Sequence, residues 1–263
     1  MIRGVLLDLE GVIYQGQSAI PGAGDAVDAL ERRGLRIRYI TNTTTQPGSA
    51  IAERLAAMGF SVGTDHLMTP AAAAALLLAG MRASRVHLAA AEGLAEDFRD
   101  FELVSADAGD VDAIVLGDLY LDFTWRRLNA LFQLMARGAP LVALHKNRIC
   151  RRAEGVSLDL GPFVAALEYA SAVQAHVVGK PSATFFNLAL ESLGLPAAEV
   201  LMVGDDIEAD IGGAKAAGLV AVQVKTGKYR QQDDDHPSVT PDGRVDSLAA
   251  LPRWIAEHGV RHS

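Results

Sequence analysis

Four polar clusters in this chain each follow a short apolar run: Asp8 with Glu10, Thr41 with Asn42, Lys180 alone, and Asp205 with Asp206 and Asp210. Asp8 closes the run 5–7, where an unpaired carboxylate is expensive to hold. Residues two apart in an extended segment point the same way, so Asp8 and Glu10 should face one pocket, with Gly11 permitting the turn that follows. The acids of 205–210 come after a second apolar run and before a helical pattern. N-capping explains one of them and leaves the others. Bringing this cluster near Asp8 and Glu10 concentrates negative charge, which raises carboxyl pKa values unless a cation joins them. Magnesium suits the inventory, because it takes oxygen ligands and keeps waters and phosphate oxygens in its shell. Thr41, Asn42 and Thr43 offer donors for phosphate oxygens, or alternatively a helix N-cap. Lys180, between Gly179 and Pro181, is either a surface lysine or a cation that offsets the carboxylates and binds phosphate. Together they support one chemistry. Asp8, ionised at neutral pH, attacks phosphorus to give an aspartyl-phosphate that water releases. Magnesium and Lys180 screen the charge while Thr41 and Asn42 orient the oxygens.

Such a site needs a scaffold, and the apolar pattern supplies one. Strands are expected at 5–7 and 35–40, with helices at 23–33 and 49–58. The end of the chain repeats this alternation, with strands at 176–178, 200–203 and 220–224 and helices at 183–193, 211–217 and 248–258. This grammar predicts a parallel sheet with helices on its faces, where sites form beyond the carboxyl ends of the strands. The middle has strands at 86–89, 113–116 and 141–144, helices at 94–98, 125–136 and 162–170, and fewer candidate polar groups. The expected division is therefore a core of 1–78 and 177–263 with an inserted domain of 79–176. The run 231–237, with three aspartates, reads as a solvated loop.

Bulk properties narrow the function. A net charge of −8 over 263 residues, with no basic stripe, argues against a general nucleic-acid binder. The longest apolar segment, 71–80, is far short of the ~20 residues that span a bilayer, so no membrane role is expected. The N-terminus lacks the pattern of a signal peptide, and Cys150 is the one cysteine, so no intrachain disulfide can form and the cytoplasm is the expected location.

In their order, the four clusters resemble the motifs of the haloacid dehalogenase-type phosphatases, over essentially the whole chain. Asp8 to Val12 looks like the first motif, Thr41 the second, Lys180 the third, and Asp205 with Asp210 the fourth. Thr41 follows Asp8 by 33 residues, and Lys180 follows Thr41 by 139, leaving room for an insert similar to the family's class II α/β cap. The segments 158–163, 178–182, 204–207 and 225–229 look closest to the family's phosphohistidine subgroup. The resemblance implies a Rossmann-like three-layer α/β/α core with a C2-type α/β cap. It implies Mg²⁺ held by Asp8, the Glu10 backbone carbonyl and Asp205, with Asp210 and Asp206 behind them. It implies substrate contacts at Thr41, Asn42 and Lys180, a small phosphorylated substrate, and a homodimer through the cap. Most of the family carries Asp where this chain has Glu10, as the general acid and base. Cap residues 146–160, with Arg148, Arg151 and Arg152, are candidates for substrate selection or a solvated basic loop. Two other readings share the fold: a non-catalytic protein that binds a phosphorylated ligand, and a receiver-type switch phosphorylated on Asp8. C–halogen hydrolysis has no use for the acids at 205–210.

Overall fold

The computed structural model describes residues 1–152 and 155–258, which form two compact units. The first comprises Met1–Thr41, Ile51–Met68 and Lys180–Ser263, and the second Asn42–Ala50 and Thr69–Gly179. The insert expected at 79–176 thus compares with a second unit that begins ten residues earlier and also takes in Asn42–Ala50, so that the division runs through the helix Gly48–Ala57.

The first unit is built on a six-stranded parallel sheet in the order Gly243–Val245, Val220–Val224, Val200–Gly204, Gly4–Asp8, Arg36–Ile40, Leu67–Met68. Gly4–Asp8, Val200–Gly204 and Val220–Val224 are buried along their whole length, as strands covered on both faces must be. Alternation sends their side chains to two cores. Val5, Leu7 and Val203 pack with Val27, Leu30, Ile51, Leu55 and Leu251. Gly4, on the face of Leu6, lies against Leu193 and Leu195 at the end of the helix Ala183–Leu193. The helix Ala23–Arg32 follows its apolar spacing, burying Ala23, Ala26, Val27 and Leu30.

The second unit has its own parallel sheet, ordered His176–Val177, Leu141–Ala143, Ala113–Leu116, Arg85–Ala89, Glu102–Leu103. Its core joins Ile114, Leu116 and Leu141 to Leu131 and Leu134 of the helix Trp125–Ala136 and to Val164 and Leu167 of the helix Leu160–Ser171. An antiparallel hairpin, Ile149–Arg152 with Gly155–Leu158, stands apart from that sheet.

Three expectations change in detail. The strand expected at 176–178 as part of the core's repeat pairs instead with Leu141–Ala143 in the second sheet, because an apolar run identifies a strand and not its partner. The helix expected at 162–170 starts at Leu160, where the Asp159 carboxylate accepts the Leu160 N–H at 2.9 Å. The helix expected at 211–217 opens four residues earlier with a π-helical turn, Ile207–Gly212, before the α-helical Gly213–Ala216. The apolar segment 71–80 forms most of a helix, Pro70–Gly80, capped by Thr69, whose hydroxyl oxygen accepts the Ala72 N–H. Among the described residues, no helix is long and apolar enough to cross a membrane.

Candidate active site

Pairing sets the site's frame. Leu7 lies opposite Val203 and Asp8 opposite Ile40, so Asp8, Asp205 and Thr41 leave three adjacent parallel strands at the same, carboxyl, edge. Asp8, Thr41, Lys180, Asp205 and Asp210 are all buried. The Lys180 ammonium donates to Asp8 Oδ1 at 2.5 Å and to Asp210 Oδ1 at 2.6 Å. Lys180 precedes Pro181, and the Lys180–Pro181 peptide bond is cis. The neighbouring Gly179 packs within the second unit against the Leu144 carbonyl, where a side chain's Cβ would fall 2.4 Å from that oxygen and 3.2 Å from Asn42 Oδ1.

Asp210 is placed by the π-turn. The Asp206 carbonyl accepts N–H groups from both Asp210 (3.0 Å) and Ile211 (3.2 Å), a widened turn. Asp210 Oδ2 in turn accepts the backbone N–H groups of Asp205 (3.2 Å) and Asp206 (3.1 Å), leaving Oδ1 for Lys180. Asp206 is the helix cap: its Oδ1 accepts from Glu208 and Ala209 N–H, and its Oδ2 from Lys228 Nζ at 3.1 Å. Burial opposes ionisation of Asp206, but the Ala209 N–H and Lys228 outweigh it and hold the carboxyl below its usual range.

Glu10 lies past the strand, which ends at Asp8, so strict alternation no longer governs its direction. Its side chain is exposed, and Oε1 accepts the Gly16 N–H at 3.0 Å. Gly11, at φ +84°, donates its N–H to the Tyr14 carbonyl at 2.7 Å. In a trans peptide the C=O points opposite to the N–H, so this bond fixes the direction of the Glu10 carbonyl.

Asp8, Asp205 and Asp210 each place a carboxylate oxygen within 4.8 Å of the other two. Three carboxyl groups thus share one buried ammonium. Burial, with Asp210 and Asp205 adding to it against Lys180, pushes Asp8 up to about 8. Burial and then Asp210 push Asp205 up to about 6, against the Lys228 N–H bond and charge. Burial works against the Lys180 ammonium, but Asp210 and Asp8 overcome it and hold its pKa above the usual value. From the sequence, Asp8 is expected to be ionised at neutral pH. Burial changes that, and a further cation is what would return it to the carboxylate. The donor set, three hard oxygens short of positive charge, fits a divalent metal ion.

The sequence singled out 225–229 by resemblance alone, gave it no role in the site, and left Gln223 unnoticed. Gln223 is fully buried in an otherwise apolar strand, and residues 225–229 border both Gly11 and Asp205. The signals were a glutamine inside Val220–Val224 and a glycine in the turn just after it. The basic segment 146–160 includes positions outside the described residues. Within it, Arg152 pairs with Asp118 at 2.6 Å and stacks on the Tyr120 ring, and Lys146 pairs with Glu168 at 2.5 Å.

This two-sheet α/β architecture has known counterparts. Residues 5–104 match the family model described as haloacid dehalogenase-like hydrolase, and residues 177–251 a second model described as HAD-hydrolase-like. The chain belongs to the haloacid dehalogenase-like hydrolases. It is 41% identical to a phospholysine phosphohistidine inorganic pyrophosphate phosphatase from Xenopus laevis, covering 94% of this chain and 92% of that protein. It is 38% identical to human haloacid dehalogenase-like hydrolase domain-containing protein 2, covering 98% and 97%. Among solved structures, a p-nitrophenyl phosphatase from Archaeoglobus fulgidus superposes with a TM-score of 0.87 at 28% identity, over 96% of this chain and 99% of that one.

Proposed function

We propose that this chain is a Mg²⁺-dependent phosphatase that hydrolyses a small phosphorylated substrate, a phosphomonoester, phosphoramidate or pyrophosphate, through an aspartyl-phosphate on Asp8. The observation that carries the reading is the buried Asp8–Lys180–Asp210 cluster with Asp205 beside it, at the carboxyl edge of the first sheet. Two of the relatives described above, from Xenopus laevis and Archaeoglobus fulgidus, are phosphatases by name, which supports the same class of reaction.

Asp8, the Glu10 backbone carbonyl and Asp205 would hold the ion, which when bound neutralises carboxylate charge and polarises a phosphoryl oxygen. Asp8 contributes the attacking oxygen: a bond forms from its carboxylate to phosphorus as the bond to the leaving group breaks. Lys180 holds Asp8 in place and keeps a positive charge beside it. Thr41 and Asn42 are the contacts assigned to the phosphoryl oxygens. Glu10 gives a proton to the leaving group and then takes one from the water that hydrolyses the acyl phosphate. Asp210 holds Lys180 and the Asp205 backbone, the work of a group behind the ligands. Asp206, as cap, holds the turn that carries Asp210.

The second unit, in this reading, is the cap that selects substrate. Its hairpin carries three exposed apolar side chains, Ile149, Leu158 and Val156 (61%, 61% and 65% exposed), on one face by the pairing Ile149↔Leu158. A second copy of the chain is the proposed cover for them. The cytoplasm is the proposed location, in keeping with a lone, unpaired Cys150.

The test is phosphate release from p-nitrophenyl phosphate and pyrophosphate, with Mg²⁺ or with EDTA, by the wild type and Asp8→Asn. Release that requires Mg²⁺ and disappears in Asp8→Asn is the expected result. Release that survives in Asp8→Asn refutes the nucleophile. No release by folded wild type would favour a protein that binds phosphorylated ligands without turning them over.

A further inference from the structure

The turn at residues 225–229 has no part in the chemistry above, yet its contacts converge on that site. It begins behind the site, at Gln223. The Gln223 side-chain amide is fully buried and fully used: Nε2 donates to the Asp205 carbonyl at 3.2 Å and to Asp233 Oδ2 at 3.1 Å, and Oε1 accepts from Arg244 Nε at 3.1 Å. Two residues beyond the strand, the Thr226 hydroxyl donates to the carbonyl of Gly11, 215 positions away in sequence. Gly227 follows at φ +61°, and a Cβ there would fall 2.0 Å from Asp205 Oδ2 and 2.7 Å from the Gly11 Cα. The Lys228 N–H then donates to Asp205 Oδ2 at 2.7 Å.

The consequence is a division of labour between the two oxygens of Asp205. Oδ2 is enclosed by Gly11, Gly227 and the Lys228 N–H. Oδ1 accepts no hydrogen bond from any described residue. A carboxylate restrained at one oxygen presents the other in a defined direction, as groups behind a metal ligand do. The same turn, through Thr226, restrains the carbonyl of Gly11, the residue whose N–H sets the direction of the Glu10 carbonyl. Thr226 therefore ties the segment after Asp8 to the segment after Asp205.

We propose that Thr226 is a positioning residue for the divalent-cation site, and that the turn 225–229, anchored by Gln223, sets the spacing between the Asp8–Gly11 and Asp205 ligand segments and hence the affinity for the ion. The inference rests on the divalent-cation reading given under the proposed function. Thr226→Val keeps the shape and deletes one hydroxyl, leaving the Gly11 carbonyl without its partner, while Thr226→Ser keeps the hydroxyl. Loss of a group that orients a metal ligand typically weakens metal affinity about 10–100-fold.

The experiment is titration calorimetry of Mg²⁺ into substrate-free protein, with melting temperatures in EDTA measured alongside. Thr226→Val should raise the Mg²⁺ Kd about tenfold or more, and Thr226→Ser should stay within about threefold of wild type. A merely structural role would lower the melting temperature of Thr226→Val and leave the Kd of the folded protein unchanged. That result overturns the inference while the phosphatase reading stands. Should Thr226→Val not fold, Gln223→Met, close in volume and without the amide, is judged by the same criterion. Wild type that binds no Mg²⁺ at all would refute the divalent-cation reading and this inference with it.

Discussion

Removing the Lys180 ammonium should expose how the cluster is balanced. In Lys180→Met the side chain keeps its length and loses its charge. Asp8 and Asp210 each lose a short bond in a place where the three side chains are at most 9% exposed. Removing one member of a buried ion pair costs about 3–5 kcal/mol, because the partner charges stay buried without compensation. For a chain of this size each kcal/mol moves the melting temperature by about 2–4 °C, so the expected loss is about 6–20 °C at pH 8 in EDTA. The loss should depend on pH. Asp8 titrates at about 8 and Asp205 at about 6 with Lys180 present, and both rise when it is removed. At pH 5 they are protonated in both proteins, fewer buried charges lack a partner, and the gap should narrow. Thermal melts of wild type and Lys180→Met at pH 5 and pH 8 would decide it. A loss below about 3 °C at pH 8, or an equal loss at both pH values, would refute the charge argument.

Three other outcomes are expected. The folded, metal-free protein holds a proton on Asp8 up to about pH 8, whereas an unfolded Asp releases it near 3.9. The stability this contributes is complete below about pH 4 and is lost as pH rises through 8. Binding Mg²⁺ at pH 7 should therefore release about one proton, read by calorimetry in buffers of different ionisation enthalpy, and the absence of release would contradict the raised Asp8 value. Glu10→Asp should speed hydrolysis of alkyl phosphomonoesters more than that of p-nitrophenyl phosphate, since a poor leaving group depends more on the proton donor. Slower turnover of the alkyl esters in that variant would count against Glu10 as an ill-fitting acid. Val156→Glu with Leu158→Glu should shift the protein from dimer to monomer in sedimentation equilibrium, and a wild type already monomeric would dispose of the proposed interface.

The sequence made the first tier of the site legible because each member stands next to a short apolar run. Asp8, Thr41 and Asp205 leave strands whose hydrophobic pattern marks them as buried, so their place at one sheet edge followed from parallel topology alone. Side-chain direction was less accessible. Glu10 lies two residues from Asp8, but the strand ends between them, and the Glu10 carboxylate bonds the Gly16 N–H instead. Asp206 and Asp210 could not be told apart by spacing, since four acids in six positions offer several caps. The π-turn separates their roles, sending Asp206 to the helix N-terminus and Asp210 to Lys180. The strand Gly243–Val245 and the hairpin of the second unit were also missed. The strand is three residues long and the hairpin's outer face is apolar, so neither gives a clear alternation. Asp233, read as one of a solvated run, is buried with Gln223 as its partner, a pairing fixed by contacts that local composition does not encode.

The strand order has a bearing on how the protein comes into being. Gly4–Asp8 lies between Arg36–Ile40 and Val200–Gly204, so one of its two neighbours is synthesised nearly two hundred residues after it. At about 5–20 residues per second, translation imposes a wait of roughly 10–40 s before that partner exists. The sheet of the second unit lies within Thr69–Gly179 and can close during the interval, whereas the first sheet remains open on one side. During synthesis, a fully apolar strand edge must be shielded from other nascent chains. Every carboxylate of the cluster except Asp8 also emerges late, so the charge that destabilises the metal-free site is assembled only after most of the hydrophobic interior is available to oppose it.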